Sequence, residues 1–333
     1  MPEIRHDALT GDAVLLATAR ADRPAAFGRT GRADGSGVTG DERDPECPFC
    51  PGNEDRTPPE VLRSPAGSAV DGWSVRVFPN LFPLVESADA SVGRVTADSV
   101  GGSTVTGMHE VLVLSPSHRR SFGLLDDDQA AEALLAARTR AAQLPADGAS
   151  HVQVLVNHGR EAGASLPHPH MQIVALDHVP EGVEADMERF AAGADSAEGA
   201  DPVVEACEQA GGPRGVLHGD IDGVDVWCPY ASVVPYQVRL ALRAAGPSFA
   251  TADDDEVRAA SHGLRDALAR LGRLLGDPPY NVVLRTAPTD TTRFHWFVDV
   301  LPRLTVQAGF EMATGLAVNI VDPDTAAQEL RSV

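Results

Sequence analysis

The sequence predicts an α+β protein of two tandem units, each an antiparallel sheet packed with helices, with the second unit a degenerate copy of the first. Three observations predict this. The chain has 333 residues, enough for about two domains. Its apolar runs follow the order strand, strand, helix, strand, strand, which suits antiparallel pairing. That order occurs twice with matching landmarks: Ser121-Phe122 and Asp126-Asp127-Asp128 before one helix, Ser248-Phe249 and Asp253-Asp254-Asp255 before the other.

Ala13–Ala17 reads as a first strand, and residues 28–46, rich in Gly, Asp and Arg without a hydrophobic period, as a surface loop. Trp73–Phe78 alternates as a strand, and Pro79–Pro83 turns. His109–Leu114 is a strand closed by Ser115-Pro116-Ser117-His118. The Asp126–Asp128 run caps a helix over about 129–143 and places acidic charge at its positive end. His151–Val156 is a strand, and Asn157–Ser165 loops from it into His168-Pro169-His170-Met171-Gln172 and a final apolar run. In the second unit Val233–Leu242, a helix over about 256–275, Tyr280–Arg285 and His295–Pro302 take the same places. Phe297 falls where His170 falls, so a single active site is expected, in the first unit. The units are bounded at 1–177 and 206–333, with a linker at 178–205 rich in Gly, Ala, Asp and Glu.

Composition removes several classes of function. The net charge of −21 disfavours binding to a nucleic-acid backbone, although a few Arg residues suffice for phosphorylated metabolites. All basic side chains are Arg. No apolar run is long enough to span a membrane, and Met1–His6 lacks signal-peptide character, so a cytoplasmic location is expected. In a reducing compartment the close pair Cys47 and Cys50 reads as a metal or redox motif rather than a disulfide.

Cys47-Pro48-Phe49-Cys50-Pro51-Gly52 makes a knuckle that aims two thiolates at one point. A thioredoxin-like pair would open a helix after a strand, whereas a polar loop follows here, which favours metal. Cys47, Cys50, His118 and His168 complete a Cys₂His₂ set suited to structural zinc, with iron as an alternative. On a strand, side chains 168, 170 and 172 share one face. A neutral imidazole at His170 is a competent nucleophile toward phosphorus. Gln172 can hydrogen-bond a phosphoryl oxygen but cannot act as an acid, so the leaving group should be a sugar phosphate or pyrophosphate type. Ser165 and the backbone amides of the Gly-rich loop can neutralise charge on the phosphoryl group. Asn80 and Phe82 read either as a nucleobase slot or as ordinary loop packing. Arg20 and Arg23 read as surface charge or as phosphate contacts.

Taken in order, Arg20-x-x-Arg23-Pro24, Cys47-x-x-Cys50, Asn80-x-Phe82, Ser115-Pro116-x-His118, Asn157-x-Gly159-x-x-x-Gly163-x-Ser165-x-x-His168-Pro169-His170-x-Gln172 and Gly309-Phe310-Glu311 span nearly the whole chain. In this pattern the sequence resembles the galactose-1-phosphate uridylyltransferase branch of the histidine triad superfamily. The resemblance implies two histidine-triad-like units and a ping-pong exchange. UMP would pass from UDP-glucose to galactose 1-phosphate through a nucleotidyl-His170 stabilised by Gln172. It implies zinc at Cys47, Cys50, His118 and His168. It also implies nucleotide and phosphate contacts from Arg20, Arg23, Asn80, Phe82, Asn157, Gly163 and Ser165, hexose contacts from Phe310 and Glu311, and a homodimer. Met171 stands where the family often has Gly, and its side chain should point away from the site. Cys207 and His295 lack the partners of a second metal site. The segment Ala308–Pro323 looks more like the relatives that include ADP-glucose phosphorylases, which leaves ADP-glucose and phosphate as alternative substrates. Hydrolases of the superfamily usually carry a third His at the position of Gln172, which argues against hydrolysis. The intact His170 and Gln172 argue against a non-catalytic sensor.

Overall fold

The computed structural model describes residues 1–22, 43–67, 72–87, 104–194, 201–221, 223–288 and 290–333. The chain opens with the hairpin β1 (Glu3–His6) and β2 (Ala13–Leu16). The first unit follows as β3 (Leu62–Ser64), β4 (Val75–Pro79), β5 (Gly107–Val113), α1 (Asp127–Gln143), β6 (His151–His158) and β7 (His170–Leu176). Next come α2 (Glu181–Ala194) and α3 (Pro202–Ala210). The second unit is β8 (Gly215–Ile221), β9 (Val224–Trp227), β10 (Val238–Leu242), α4 (Asp254–Leu275), β11 (Tyr280–Arg285) and β12 (Phe297–Pro302). The chain closes with α5 (Gly309–Thr314), β13 (Ala317–Asn319), which pairs parallel with β2, and α6 (Pro323–Arg331).

The ten strands β3 to β12 form one sheet in the order β3-β4-β5-β7-β6-β11-β12-β10-β9-β8, antiparallel throughout. Read outward from the β6–β11 pair, the two halves have the same order, which is the duplication read in the sequence. The two predicted sheets are joined edge to edge. Pairing β6 with β11 (Val156 opposite Val282, Asn157 opposite Asn281) satisfies two strand edges that would otherwise stay open.

Alternation along the strands sorts the two faces. Val75, Val77, Leu112, Val154, Val156, Met171 and Ile173 point to the helix side with their second-unit counterparts Leu240, Val282, Leu284, Val298 and Val300. There they pack on Ala130, Ala133, Leu134 and Ala137 of α1 and on Val257, Ala260, Leu264 and Leu268 of α4, in one continuous core. Both helices begin as their Asp runs predict. The Asp126 carboxylate accepts from the Gln129 N–H at 2.8 Å, and Asp253 and Glu256 cap α4 reciprocally. The opposite face carries two separate clusters: Cys47, Phe49, Cys50, Trp73, Phe78, Val111 and Val113 on the first unit, and Leu9, Phe190, Val203, Trp227, Phe294 and Phe297 on the second.

Two local readings change. The stretch 178–205 is helical over Glu181–Ala194 and again from Pro202, because Phe190 and Val203 give it apolar positions that dock on the second unit. The strand expected from Val233 begins only at Val238. Tyr236 adopts φ 58°, and the Gln237 N–H turns back to the Val234 carbonyl. Among the described residues no helix is long and apolar enough to cross a membrane.

Candidate active site

The Cys47–Cys50 turn is built by its own backbone. The Cys50 N–H donates to the Cys47 carbonyl, the Asn53 N–H to the Cys50 carbonyl, and the Asn53 side chain to the Pro45 and Cys47 carbonyls. Backbone N–H groups also point at the sulfurs, Phe49 to Cys47 Sγ at 3.4 Å and Asp44 to Cys50 Sγ at 3.3 Å. His168, in the turn before β7, brings Nδ1 to 3.6 Å from Cys47 Sγ and 3.5 Å from Cys50 Sγ. His118, past the end of β5, places Nδ1 3.3 Å from Cys50 Sγ. All four ligand atoms lie within 4.8 Å of one another, and all four residues are buried.

The donor chemistry fits a metal ion. Each imidazole offers Nδ1 inward; His168 Nε2 meets the Ser115 carbonyl at 3.0 Å, and the Asp44 carboxylate lies near His118 Nε2 at 3.8 Å, beyond hydrogen-bond distance. Burial drives His168 down to about 4, although its bond to the Ser115 carbonyl works the other way, so the ring is neutral and able to ligate. Burial pushes the Cys47 thiol up to about 11, and a cation bound between the sulfurs would reverse that cost. Both cysteines are free thiols.

Strand β7 starts at His170 because Pro169 has no N–H to give the ladder. His168 therefore lies before the strand rather than on it, yet both rings meet Phe49 edge-on, at 6.1 Å for His168 and 5.3 Å for His170. His170 is only 6% exposed. Its Nδ1–H donates to the His168 carbonyl at 2.8 Å, which leaves the lone pair on Nε2. Burial lowers its pKa against the opposing effect of that bond, so the ring is neutral. Met171 points to the opposite, helix-covered face.

Gln172 lies two residues further along the His170 face, half-buried, with its Oε1 2.9 Å from His109 Nε2. Asn157, at the end of β6, accepts from Asn281 at 2.8 Å. Gly163 has φ +90°, a conformation that favours Gly, and Ser165 is exposed beyond it. The Asn80 side chain serves its own loop: Oδ1 accepts from the Phe82 N–H at 2.9 Å, and Nδ2 lies 3.2 Å from His109 Nε2. Phe82 is 83% exposed, so ordinary loop packing does not describe it. Arg20 is exposed in the turn Thr18–Asp22, and Arg23 lies outside the described residues. Phe310 is exposed on α5, where Glu311 accepts from the Ala308 N–H at 3.1 Å as a helix cap. Two residues at the site, His109 and Asn281, belong to none of the motifs, and Phe49, inside the Cys47–Cys50 knuckle, has no role assigned from the sequence. The alternation His109-x-Val111-x-Val113 puts His109 on the site face. Asn281 has no such signal, because it is an ordinary strand residue of the second unit.

The fold and site define a nucleotidyltransferase-type enzyme. The family model of galactose-1-phosphate uridyl transferase, N-terminal domain, matches residues 1–180. The ADP-glucose phosphorylase of Arabidopsis thaliana is 30% identical over 343 aligned residues, which cover 100% of this chain and 93% of that protein. A galactose-1-phosphate uridylyltransferase of Thermotoga maritima is 23% identical, covering 99% of this chain and 98% of that protein. A crystal structure of the Arabidopsis thaliana ADP-glucose phosphorylase with bound ADP-glucose superposes with a TM-score of 0.83 at 27% identity, covering 100% of this chain and 99% of that one. The chain belongs to the galactose-1-phosphate uridyl transferase family.

Proposed function

We propose that the protein transfers a nucleoside monophosphate from a nucleoside diphosphate glucose to an acceptor through a covalent nucleotidyl-His170. The observation that carries this is the neutral, buried His170 with Nδ1–H tied to the His168 carbonyl and Nε2 free to attack. His170 Nε2 bonds to the α-phosphorus as the bond to glucose 1-phosphate breaks. Glucose 1-phosphate leaves without needing a proton, which matches a site whose nearby amide, Gln172, cannot supply one. The acceptor then attacks the same phosphorus and frees the imidazole.

The donor favoured here is ADP-glucose with inorganic phosphate as acceptor, giving ADP and glucose 1-phosphate. Whole-length similarity to the Arabidopsis enzyme supports this order, which reverses the ranking drawn from the motifs alone. The second reading is UMP transfer from UDP-glucose to galactose 1-phosphate, supported by the motif set and the family model. The Cys47, Cys50, His118 and His168 cluster would hold zinc, which pins the knuckle and the end of β5 to the start of β7 and so fixes His170 two residues on. The remaining roles follow the motifs: Ser165, Asn157 and Gly163 at the phosphates, Arg20 and Arg23 at the phosphates across a homodimer interface, Asn80 and Phe82 at the base, and Phe310 and Glu311 at the hexose.

Isotope exchange tests the covalent route. Labelled glucose 1-phosphate incubated with enzyme and ADP-glucose, without phosphate, should enter ADP-glucose, and the same trial with UDP-glucose ranks the donors. Exchange that needs an added second acceptor would contradict a ping-pong path.

A further inference from the structure

Gln172 and Asn157 can each turn either an oxygen or an NH₂ group toward a substrate, and the two ends look alike until a partner of fixed role decides between them. Backbone groups have fixed roles, and both amides connect to one.

The Leu84 N–H, which can only donate, lies 3.0 Å from His109 Nδ1, so Nδ1 accepts. The Asn80 amide nitrogen, fixed as nitrogen by the Phe82 N–H on its oxygen, lies beside both ring nitrogens, 3.4 Å from Nδ1 and 3.2 Å from Nε2, so the tautomer rests on the Leu84 N–H. Burial keeps the His109 ring neutral, so its one proton sits on Nε2. That proton goes to the atom 2.9 Å away, which must then be the oxygen of Gln172. On the other side, the Ala162 carbonyl, which can only accept, lies 2.8 Å from Asn281 Nδ2. The second hydrogen of that same NH₂ group goes to Asn157 at 2.8 Å, which must present Oδ1.

Both amide oxygens are thus occupied, and among the described residues neither NH₂ group is taken up by another partner. Asn157 continues β6 one step past the Val156–Met171 pair, level with His170, and Gln172 lies two residues beyond His170 on the same face. An anionic phosphoryl group can only accept, so these are the ends it needs. We infer that His109 and Asn281 are positioning residues that hold the oxygens of Gln172 and Asn157, so that both NH₂ groups face the phosphoryl group transferred at His170. The inference rests on the nucleotidyl-transfer reading. It also gives the second unit a part in the site, since Asn281 belongs to β11.

The test uses the metal-loaded full-length protein. Nitrogen-15 NMR of His109 should report the Nε2–H tautomer, and an Nδ1–H tautomer overturns the His109 half outright. Rapid-quench single turnover with ADP-glucose and with UDP-glucose then gives the rate of nucleotidyl-histidine formation. His109→Leu should slow it about tenfold with little change in donor affinity, and His109→Gln, which keeps a donor, should recover most of the loss. In a Gln172→Ala background His109→Leu should cost nothing further. Asn281→Asp should turn Asn157 round and slow the step at least as much, again with no further loss beside Asn157→Ala. Asn281→Ala carries the same cycle if the Asp variant does not fold. Losses that are equal with and without the amides overturn the positioning role. A wild-type protein that forms no adduct from either donor overturns the transfer reading and this role with it.

Discussion

The same histidine turn occurs in both units, and comparing the two separates what a working site needs from what a folded one needs. In the first, His168 Nε2 meets the Ser115 carbonyl at 3.0 Å and Nδ1 faces the sulfurs of Cys47 and Cys50. In the second, His295 Nε2 meets the Leu242 carbonyl at 2.7 Å and Nδ1 faces the Asp201 carboxylate at 2.8 Å. The turn is preserved, and a carboxylate stands where the thiols stand. Two residues on, His170 becomes Phe297, packed among Phe190 and Phe294. Four residues on, Gln172 becomes Asp299, held by Arg239 at 2.8 Å and Arg285 at 3.2 Å. Burial works to raise the Asp299 carboxyl, and the two guanidiniums nonetheless keep it below the usual carboxylate range. Arg239 also reaches Asp7 at 3.0 Å and lies over the Phe297 ring. The second unit fills its face with aromatic rings and mutually satisfied charges. Among the described residues the first leaves the His170 Nε2 lone pair without a hydrogen-bond partner and, on the inference above, the NH₂ groups of Gln172 and Asn157 as well.

The largest effect separates the units by chemistry. His170→Ala should reduce transfer by on the order of 10⁶-fold, as removing a covalent nucleophile does, while Phe297→His should restore none of it in that background. Turnover measured against exchange of labelled glucose 1-phosphate checks both. A more sensitive break lies in the second unit. Arg239→Met leaves Asp7 and Asp299 buried without their shared partner and should cost about 3–5 kcal/mol in denaturant unfolding, with the slope of the transition unchanged. Stripping metal should act on the first unit instead. Chelation should remove roughly 3 kcal/mol of stability if free metal had stood a hundredfold above its dissociation constant, and Cys50→Ser should abolish the difference between chelated and loaded protein.

The smallest effect lies where the units meet. His151 begins β6, buried beside Ser248, Phe249 and Thr286 of the second unit, with neither ring nitrogen in a well-formed hydrogen bond. Burial lowers its pKa, more than the nearby Gln153 amide raises it, and His178 adds to the lowering. The unfolded chain therefore binds the proton more readily than the folded one. Stability should be complete above about pH 6.5 and fall as pH drops through that value toward the folded pKa. Thermal unfolding at pH 5.5 and 7.5 should differ for the wild type and differ less for His151→Leu.

Much of this was legible in the sequence because it is local. The Asp runs cap α1 and α4 through side chains three residues away, and His168, His170 and Gln172 sit within one turn and the strand it starts. The Cys₂His₂ set was legible because each ligand type has few other uses at such spacing. What the sequence could not carry is contact between distant strands. Asn281 meets Asn157 across 124 residues, and nothing in Tyr280–Arg285 marks it. His109 looked like the first residue of a strand, since its partners Leu84 and Gln172 come from other strands and loops. The single ten-stranded sheet was hidden too, because edge pairing between β6 and β11 depends on backbone groups that every residue shares.

On the proposed function the first unit carries the chemistry and the second supports it. Intact-protein mass after brief incubation with ADP-glucose, and separately with UDP-glucose, each without acceptor, followed by peptide mapping, tests this most directly. The expected result is an acid-labile addition of one nucleoside monophosphate, placed on His170 and absent from His170→Ala. An adduct on a residue of the second unit, or none from either donor with metal bound and the protein folded, would contradict it.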